Sequence, residues 1–479
     1  MAKYDYDMIV IGGGAAGLTA STFAGQSAAK TLLIEKEEKL GGDCLHYGCV
    51  PSKTLIKSAY AYNVMRNAEK YGLPKAGLPP VDFAAVRARI RRTIGTIQEH
   101  DEPRYLADTY NVETAFGEAK FTDERTIILN GRRITGRYFV IATGSSPSVP
   151  PVEGIADVPY ITNMQVFSLE RLPASMIVLG GGPIGLEMAQ AFHRLGCRVT
   201  VAEFAPRVLA REDEDVSGFI TGVLKQEGLQ VRTSATAVKA GHDGAMFTLT
   251  VEENGKASEL RAEALLVAAG RKPNVEGLDL EKAGVRYGKS GIPVDGKMRT
   301  NIRHIYACGD VNGQLPFTHV ASYEAVVAVY NAILKIPKAA DYTNIPWVTY
   351  LDPEVASIGY NETRAKEAGI AYTRHVESFE RNDRALAEGE NRGFIKILMN
   401  KKGAVIGVQI VGHRAGDLIA EWIPVLNAKI KLPVIAGAVH PYPTMAEINK
   451  TASVKYLVST IPSWTKAVTK FLFGYQGRT

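Results

Sequence analysis

The chain contains, twice, a pattern of an apolar strand, a glycine-rich loop and a helix, and this repeat constrains its fold more than any other feature. In the first copy an apolar run at residues 8–11 leads directly into the loop 12–17, and a second apolar run, 31–34, ends at Glu35. Glycines here allow a tight turn and let a pyrophosphate approach the N-terminus of the following helix. An acid after the second strand can accept a hydrogen bond from a ribose hydroxyl. The first copy therefore predicts a dinucleotide site at Gly12, Gly14, Gly17 and Glu35.

The second copy begins at Gly180, 168 residues after Gly12, and therefore belongs to a second domain rather than to a small repeat. An apolar run at 177–179 leads into the loop 180–185, and the next strand, 199–202, ends at Glu203. A carboxylate at this position binds a free 2′-hydroxyl and repels a 2′-phosphate, which favours NADH over NADPH. Arg207 is close enough to keep NADPH open. We predict a second dinucleotide site at Gly180, Gly182, Gly185 and Glu203.

Two of the four cysteines, Cys44 and Cys49, lie in one stretch with four residues between them. We predict that one helix carries both and that their side chains can close a disulfide. Lys53 follows Cys49 by one helical turn, where its charge can stabilise a thiolate or a reduced flavin. Cys197 and Cys308 have no near partner and are predicted to be buried. Paired cysteines in a reducing compartment are more often catalytic than structural, so we interpret Cys44 and Cys49 as a redox-active pair.

Composition limits the class of protein. The 479 residues are too many for one hydrophobic core, and 46% hydrophobic and 22% charged residues are ordinary for globular domains. The net charge of +6 is too small and too scattered along the chain to indicate binding of nucleic acid. No apolar run is long enough to span a membrane, and the first residues carry no secretory hydrophobic segment. We therefore expect a cytoplasmic protein.

Further strands complete the nucleotide-binding domains. One at 138–141 leads to a turn at Thr143 and Gly144, and another, starting at Leu265, leads to Gly270. A third, 305–307, leads to Asp310, which can bind a sugar hydroxyl or cap a helix. From about residue 342 the strands are typical of an antiparallel sheet, and no nucleotide loop follows. The predicted fold is α/β, with two Rossmann-like domains and a C-terminal α+β domain.

Together these motifs resemble the FAD-dependent pyridine nucleotide-disulfide oxidoreductases. The resemblance rests on both glycine loops, the stretch with Cys44 and Cys49, Ala142-Thr143-Gly144, residues 307–310, and the closing Pro443-Thr444 with Glu447. It implies that residues 1–148 and 273–341 form the FAD-binding domain and residues 149–272 the NAD(P)H-binding domain. Residues 342–479 would form the interface domain of a homodimer.

The resemblance also implies roles for individual residues. FAD would be bound by the first glycine loop together with Glu35, Lys53, Thr143, Gly144 and Asp310, and the nicotinamide nucleotide by the second loop with Glu203 and Gly270. Cys49 would be the thiolate beside the flavin, and Cys44 the thiol that meets the substrate. Lys53 would pair with Glu187 beside the flavin's reactive nitrogen. Nothing in the sequence indicates a resident metal ion.

The closing motif departs from the disulfide reductases of this family at one position. Alignment on Pro443 and Glu447 puts Tyr442 where those enzymes carry the histidine that is the acid–base partner of the interchange thiol, and His440 lies two residues earlier. A phenol, with a pKa of about 10, serves poorly in that role near pH 7. A metal ion needs thiolate ligands rather than a protonated leaving group. At this position the chain resembles the mercuric reductases.

We therefore expect electrons to pass from NAD(P)H through Cys44 and Cys49 to a small-molecule oxidant, namely a disulfide, a thiol-bound metal or a quinone-like compound. Residues 459–479 lack the cysteine pair that mercuric reductases carry at the C-terminus, which predicts weak activity with mercury. The alternative within the family is a dihydrolipoyl dehydrogenase in which His440 acts as the base.

Residues 455–479 alternate apolar and aromatic side chains with lysines. The pattern is typical of a basic amphipathic segment, which Pro462 interrupts. It predicts either a peripheral contact with the inner face of a membrane or packing along the second subunit. An alternative of another class is therefore a flavoprotein binding module tethered through this tail.

Overall fold

The computed structural model describes residues 4–477. The chain forms two compact units. Unit 1 contains the residues up to Glu69 together with Leu73–Leu209 and Val223–Tyr342, and unit 2 contains Lys70–Gly72, Ala210–Gly222 and the residues from Thr343 onward. Within the described residues, the helices are all too short or too polar to cross a membrane.

Unit 1 begins with a seven-stranded sheet. The first elements are β1 (Tyr6–Ile11), α1 (Ala15–Gln26), β2 (Thr31–Glu35), α2 (Gly42–His46), α3 (Cys49–Arg66), α4 (Phe83–Gln98), α5 (Pro103–Tyr110), β3 (Val112–Phe116), β4 (Ala119–Asp123), β5 (Thr126–Leu129), β6 (Arg132–Ile141) and β7 (Ser145–Pro147). The strand order is β3-β2-β1-β6-β5-β4, and the later strand Ile305–Ala307 pairs in parallel with β6. β1 is parallel to β2 and β6, whereas β5 is antiparallel to β4 and β6.

The parallel strands of this sheet bring the first predicted site together. The glycine loop follows β1, Glu35 ends β2, and Thr143 and Asp310 follow β6 and Ile305–Ala307. Because parallel strands have their carboxyl ends at one edge of a sheet, these residues meet there. Met8, Ile9 and Val10 in β1 are fully buried, which explains the continuous apolar run in the sequence. The predicted Rossmann-like topology is confirmed here.

The rest of unit 1 contains a second parallel sheet. Its elements are α6 (Asn163–Val166), β8 (Ser175–Leu179), α7 (Pro183–Leu195), β9 (Arg198–Ala202), α8 (Glu214–Glu227), β10 (Gln230–Arg232), β11 (Thr236–His242), β12 (Phe247–Glu253), β13 (Lys256–Ala262), β14 (Ala264–Val267), β15 (Arg271–Pro273), β16 (Ile305–Ala307) and α9 (Thr318–Val329). The parallel order is β10-β9-β8-β14, and β11-β12-β13 form an antiparallel sheet. The second glycine loop follows β8, and Glu203 follows β9, as in the first motif.

Unit 2 is built on a five-stranded antiparallel sheet in the order β17-β18-β21-β20-β19. Its elements are β17 (Trp347–Thr349), β18 (Glu354–Gly359), α10 (Glu362–Glu367), β19 (Tyr372–Ser378), α11 (Asp383–Glu388), β20 (Phe394–Asn400), β21 (Val405–Gly412), α12 (Ala415–Leu418), α13 (Trp422–Asn427), α14 (Leu432–Gly437), α15 (Glu447–Ser459) and α16 (Ser463–Phe473). The predicted antiparallel sheet is confirmed. The tail forms two helices, because Pro462 precedes the first turn of α16.

The prediction that one helix carries both cysteines is wrong. Cys44 lies in α2, which ends at His46, and Cys49 starts α3. A continuous helix would need a hydrogen bond from residue 51 to the carbonyl of Tyr47, but Pro51 has no N–H. The side-chain amide of Asn163 donates to that carbonyl instead, at 3.0 Å. The two thiols therefore come from the ends of two short-linked helices.

Candidate active site

The two glycine loops have the same local geometry. A Cβ atom at Gly17 would lie 1.7 Å from the carbonyl oxygen of Gly12, and one at Gly185 would lie 2.0 Å from that of Gly180. The first turns of α1 and α7 therefore pack directly on their loops, which only glycine permits. In both loops the first glycine has a positive φ, +107° at Gly12 and +118° at Gly180. Each loop is thus a tight turn from strand to helix.

Glu35 and Glu203 occupy equivalent positions below the two loops. Glu35 Oε2 accepts a hydrogen bond from the N–H of Gly13 at 2.6 Å, and Glu203 Oε2 accepts one from the N–H of Gly181 at 2.5 Å. Both side chains are buried. Each carboxylate therefore holds the middle of its loop and places a negative charge at the edge of the dinucleotide site.

The helices after the loops are open at their N-termini. Gly14 caps α1 and Gly182 caps α7, and in neither helix does a side chain bond to the first N–H groups. A Cβ atom at Gly182 would meet no atom within 4 Å, and one at Gly14 would meet only the Cα of Gly42, at 3.9 Å. Uncapped N–H groups facing open space suit a pyrophosphate. The residues present therefore fit a dinucleotide at each loop.

Cys44 and Cys49 are both thiols in this structure. Hydrogen bonds from the Cys44 thiol and the Thr318 hydroxyl, together with the charge of Lys53, outweigh burial and lower the pKa of Cys49 to about 6. The same bond between the thiols, with burial, raises the pKa of Cys44. At neutral pH the pair therefore holds a thiolate on Cys49 and a thiol on Cys44.

Two long-range contacts surround Cys49. Lys53 Nζ donates to Glu187 Oε2 at 2.7 Å, so the ion pair that the resemblance implied joins α3 to α7. Thr318 Oγ1, at the start of α9, lies 3.3 Å from Cys49 Sγ. Sequence reasoning missed Thr318. Its only signal is a hydroxyl in the first turn of the helix that follows Asp310.

Asp310 belongs to a polar cluster at the end of β16. Asp310 Oδ2 accepts a hydrogen bond from Ser145 Oγ at 2.5 Å, and Arg271 Nε lies 3.8 Å from the same oxygen. Arg271 also lies 3.3 Å from Asp43, which precedes Cys44. Ser145 and Arg271 meet because β7 pairs with β15. Sequence reasoning missed both, since neither belongs to a recognisable pattern.

Three other predicted residues lie around this short β7–β15 pair. Thr143 Oγ1 donates to the carbonyl of Asn274 at 2.6 Å, and Gly144 adopts a φ of +67°. Gly270 lies between β14 and β15, and its carbonyl accepts from the N–H of Ser148 at 2.9 Å. These residues shape the connections between the two parallel sheets of unit 1.

The loop 440–447 of unit 2 carries both candidates for the acid–base partner. Tyr442 is 70% exposed, and its hydroxyl donates to Asp383 Oδ2 at 2.9 Å, a contact that raises the pKa of the phenol. His440 Nε2 lies 3.0 Å from Glu421 Oε1. Glu447, at the start of α15, accepts from a backbone N–H of the same loop at 3.4 Å. Each candidate thus has a carboxylate partner within unit 2.

Residues 6–325 match the pyridine nucleotide-disulphide oxidoreductases, and residues 345–453 match the dimerisation domain of the same family. The chain belongs to this family. As a pyridine nucleotide-disulphide oxidoreductase it is a flavoprotein enzyme that uses FAD and NAD(P)H, and unit 2 contains its dimerisation domain.

Three relatives illustrate the range of the family. A mercuric reductase of Staphylococcus aureus is 34% identical over 457 residues, which are 94% of this chain and 82% of that protein. A dihydrolipoyl dehydrogenase of Geobacillus stearothermophilus is 35% identical over 470 residues, 96% of this chain and 98% of that protein. The Cu(II) complex of the HOCl-induced flavoprotein disulfide reductase RclA from Escherichia coli has a TM-score of 0.84 and 25% identity, and covers 95% of this chain and 100% of that one. Because their names differ in the electron acceptor, family membership alone does not identify it here.

Proposed function

We propose that this oxidoreductase passes electrons from NAD(P)H to a soft, thiolate-binding metal ion at Cys44 and Cys49. The observation that carries the proposal is the split within the pair, in which the pKa of Cys49 is lowered to about 6 while that of Cys44 is raised. Soft metal ions prefer thiolate ligands. A thiolate with a thiol beside it offers two sulfur ligands once the second proton leaves.

FAD supplies two-electron transfer between the nicotinamide and the cysteine pair. Two electrons and one proton convert the Cys44–Cys49 disulfide into one thiol and one thiolate. The disulfide forms again when two electrons pass to one two-electron acceptor or to two one-electron acceptors. Throughout this cycle Lys53 balances the charge on Cys49, and the Thr318 hydroxyl hydrogen-bonds to the same sulfur.

Tyr442 favours a metal ion over a disulfide as the acceptor. Cleavage of a disulfide releases a thiolate that an acid must protonate, and the resemblance puts the donor at this position. Asp383 holds the phenol proton and raises the pKa of Tyr442, so the phenol stays neutral and is a weak acid. Reduction of a metal ion needs no such proton. The names of the mercuric reductase and of the Cu(II) complex of RclA support the same class of acceptor.

The test compares acceptors under identical conditions. NADH oxidation is measured with Hg(II) bound to a monothiol, with Cu(II) buffered by histidine, and with lipoamide and glutathione disulfide, each corrected for the rate without enzyme. We expect at least one metal complex to turn over about tenfold faster than either disulfide. Faster turnover of a disulfide would contradict the proposal.

A second candidate is dihydrolipoyl dehydrogenase activity, which the pairing of His440 with Glu421 at 3.0 Å favours. A carboxylate beside an imidazole stabilises its protonated form, as an acid–base role would need. This candidate predicts strong turnover of lipoamide that collapses in His440→Ala. Negligible lipoamide turnover in the unmodified protein would remove it.

We propose NADH rather than NADPH as the preferred donor. Glu203 Oε2 binds the loop N–H of Gly181 at 2.5 Å, so its charge is fixed where a 2′-phosphate would have to lie. The ratio of kcat/KM values for the two nucleotides tests this. We expect NADH to be favoured in the unmodified protein and the ratio to fall in Glu203→Gln, whereas an unchanged ratio would remove Glu203 as its cause.

We also propose that residues 455–479 make a peripheral contact with an anionic membrane surface in the cytoplasm. Trp464, Phe471 and Leu472 in and near the end of α16 are 64%, 87% and 63% exposed. The sequence from residue 448 to the C-terminus contains lysines and one arginine but no acidic residue. Such a combination binds anionic lipid through apolar burial and charge.

Flotation with vesicles of neutral lipid and of neutral plus anionic lipid tests the contact. We expect full-length protein to float with the anionic vesicles, and a chain truncated before Ser459 to remain free. Phe471→Ser with Leu472→Ser is the matched control that keeps every lysine. Equal behaviour of full-length and truncated protein would exclude the contact, and loss of the dimer on truncation would favour packing against the second subunit.

A further inference from the structure

Three potential metal ligands from separate segments of unit 2 converge at one edge of its sheet. Asp352 lies between β17 and β18, Glu390 lies between α11 and β20, and His413 follows β21 directly. The strands β18, β21 and β20 are neighbours, with Glu354 opposite Gly412 and Phe394 opposite Val411. The starts of β18 and β20 therefore meet the end of β21, which brings the three side chains together.

The distances between these side chains are close to those of a metal site. One ligand atom from each of Asp352, Glu390 and His413 lies within 4.8 Å of the other two, and all three residues are half-buried. Donor atoms bound to one ion at about 2.0–2.2 Å can be no more than about 4.4 Å apart. Small side-chain rotations are therefore enough to bring all three onto one ion.

A second acidic group in unit 2 shows what distinguishes this one. Asp213, Asp215 and Glu362 also lie within 4.8 Å of one another. The ammonium of Lys396 lies among them, at 2.7, 2.7 and 3.1 Å, and is fully buried. In that group a side chain of the protein supplies the cation.

In the first group the third member is an imidazole, which is a metal ligand when it is neutral. The surroundings are negative: burial and the charges of Glu390 and Asp352 raise the pKa of Tyr71, against the opposing effect of Arg392. Tyr71 lies next to this edge, since a Cβ atom at Gly389 would be 3.9 Å from its ring. Two carboxylates and one imidazole are a donor set for borderline first-row cations rather than for the soft ions that thiolates prefer.

We propose that Asp352, Glu390 and His413 form a binding site for a divalent first-row cation such as Zn²⁺ or Mn²⁺. The site shares no ligand with the Cys44/Cys49 pair and does not depend on the identity of the electron acceptor. A bound ion would tie together the three strand ends and the segment that follows α11.

The test uses the FAD-loaded Cys44→Ser/Cys49→Ser protein, so that the thiols cannot bind the added metal. Binding of Mn²⁺ is followed by loss of the electron paramagnetic resonance signal of the free ion, and binding of Zn²⁺ by calorimetry. We expect one ion per chain, and at least about tenfold weaker binding in His413→Ala and in Glu390→Gln. His375→Ala removes another half-buried histidine of unit 2 and is expected to leave binding unchanged.

Asp352→Asn is a third variant that keeps the shape of the side chain if His413→Ala does not fold. Circular dichroism and FAD content show which variants are folded. The proposal is overturned if the parent protein binds neither ion, or if the folded variants bind as tightly as the parent.

Discussion

The cysteine pair of unit 1 and the loop 440–447 of unit 2 both carry groups suited to redox or proton chemistry, but they are built in different ways. The surroundings of Cys49 are assembled from distant parts of the chain, since Lys53 bonds to Glu187 at 2.7 Å and Thr318 lies 3.3 Å from the sulfur. In the loop, Tyr442 and His440 bind carboxylates of unit 2 through single contacts at 2.9 and 3.0 Å.

This difference separates two parts of the function. The thiolate on Cys49 follows from several contacts within unit 1, which one substitution weakens but does not replace. The acid–base character of the loop follows from one side chain, Tyr442, which a single substitution can change. We therefore expect entry of electrons to be robust and the choice of acceptor to be easily altered.

The largest effect is expected from Cys44→Ser, which removes the thiol proposed to meet the acceptor. Without it the pair can neither form a disulfide nor provide two sulfur ligands, and we expect turnover of every acceptor to fall about 1000-fold or more. Steady-state NADH oxidation measures this. Cys197→Ser, at a buried cysteine of the second sheet, should retain activity. Retained activity in Cys44→Ser would refute its role.

A smaller effect in the opposite direction is expected from Tyr442→His. An imidazole at this position can protonate a leaving thiolate near pH 7, so turnover of glutathione disulfide or lipoamide should rise about 30-fold. Turnover of metal complexes should change little, because their reduction needs no such proton. Tyr442→Phe is the matched control and should not raise disulfide turnover. A rise in both classes of acceptor would break the distinction between the two regions.

Lys53→Met should change the pH dependence of Cys49. The pKa of Cys49 is lowered to about 6 by the Cys44 hydrogen bond, then by Thr318 and Lys53, so its thiolate is present above that pH and is lost as the pH falls through it. Removing the ammonium raises the pKa, and at pH 5.5 alkylation of Cys49 by iodoacetamide should slow about tenfold. Lys53→Met with Glu187→Gln, which also removes the carboxylate, should recover part of the rate. An unchanged profile would exclude electrostatic control by Lys53.

The smallest effect is expected from His440→Ala. His440 bonds to Glu421, and if Tyr442 occupies the acid–base position, reduction of metal complexes should change by less than about twofold. A loss of about 100-fold with lipoamide would instead assign the acid–base role to His440. Measuring both acceptors in the same variant separates a catalytic loss from a general loss of folded enzyme.

Much of the fold could be predicted because its signals are local. Each buried parallel strand is a continuous apolar run, and Gly17 and Gly185 are required by contacts within a few residues of the chain. The acids at the ends of β2 and β9 follow from the same motif. The helix break between Cys44 and Cys49 was also signalled locally, by Pro51, but the prediction overlooked its missing N–H.

The rest of the candidate site depends on contacts between residues that are far apart in sequence. Thr318 is 269 residues from Cys49, and Arg271 is 126 residues from Ser145. A threonine or an arginine in a loop has no pattern that indicates such a partner. Asp352, Glu390 and His413 likewise become neighbours only through the register of three strands. These groups could be found only once the strand pairing was known.

The most direct test of the central claim is a count of cysteine thiols after oxidised, FAD-loaded enzyme receives one equivalent of NADH without oxygen. The sample is alkylated and its peptides are identified by mass spectrometry. The account predicts that Cys44 and Cys49 change from a disulfide to two alkylated thiols, while the buried Cys197 and Cys308 stay unmodified in the folded protein. If NADH is consumed and Cys44 and Cys49 remain joined as a disulfide, the pair does not carry the electrons and the account is contradicted.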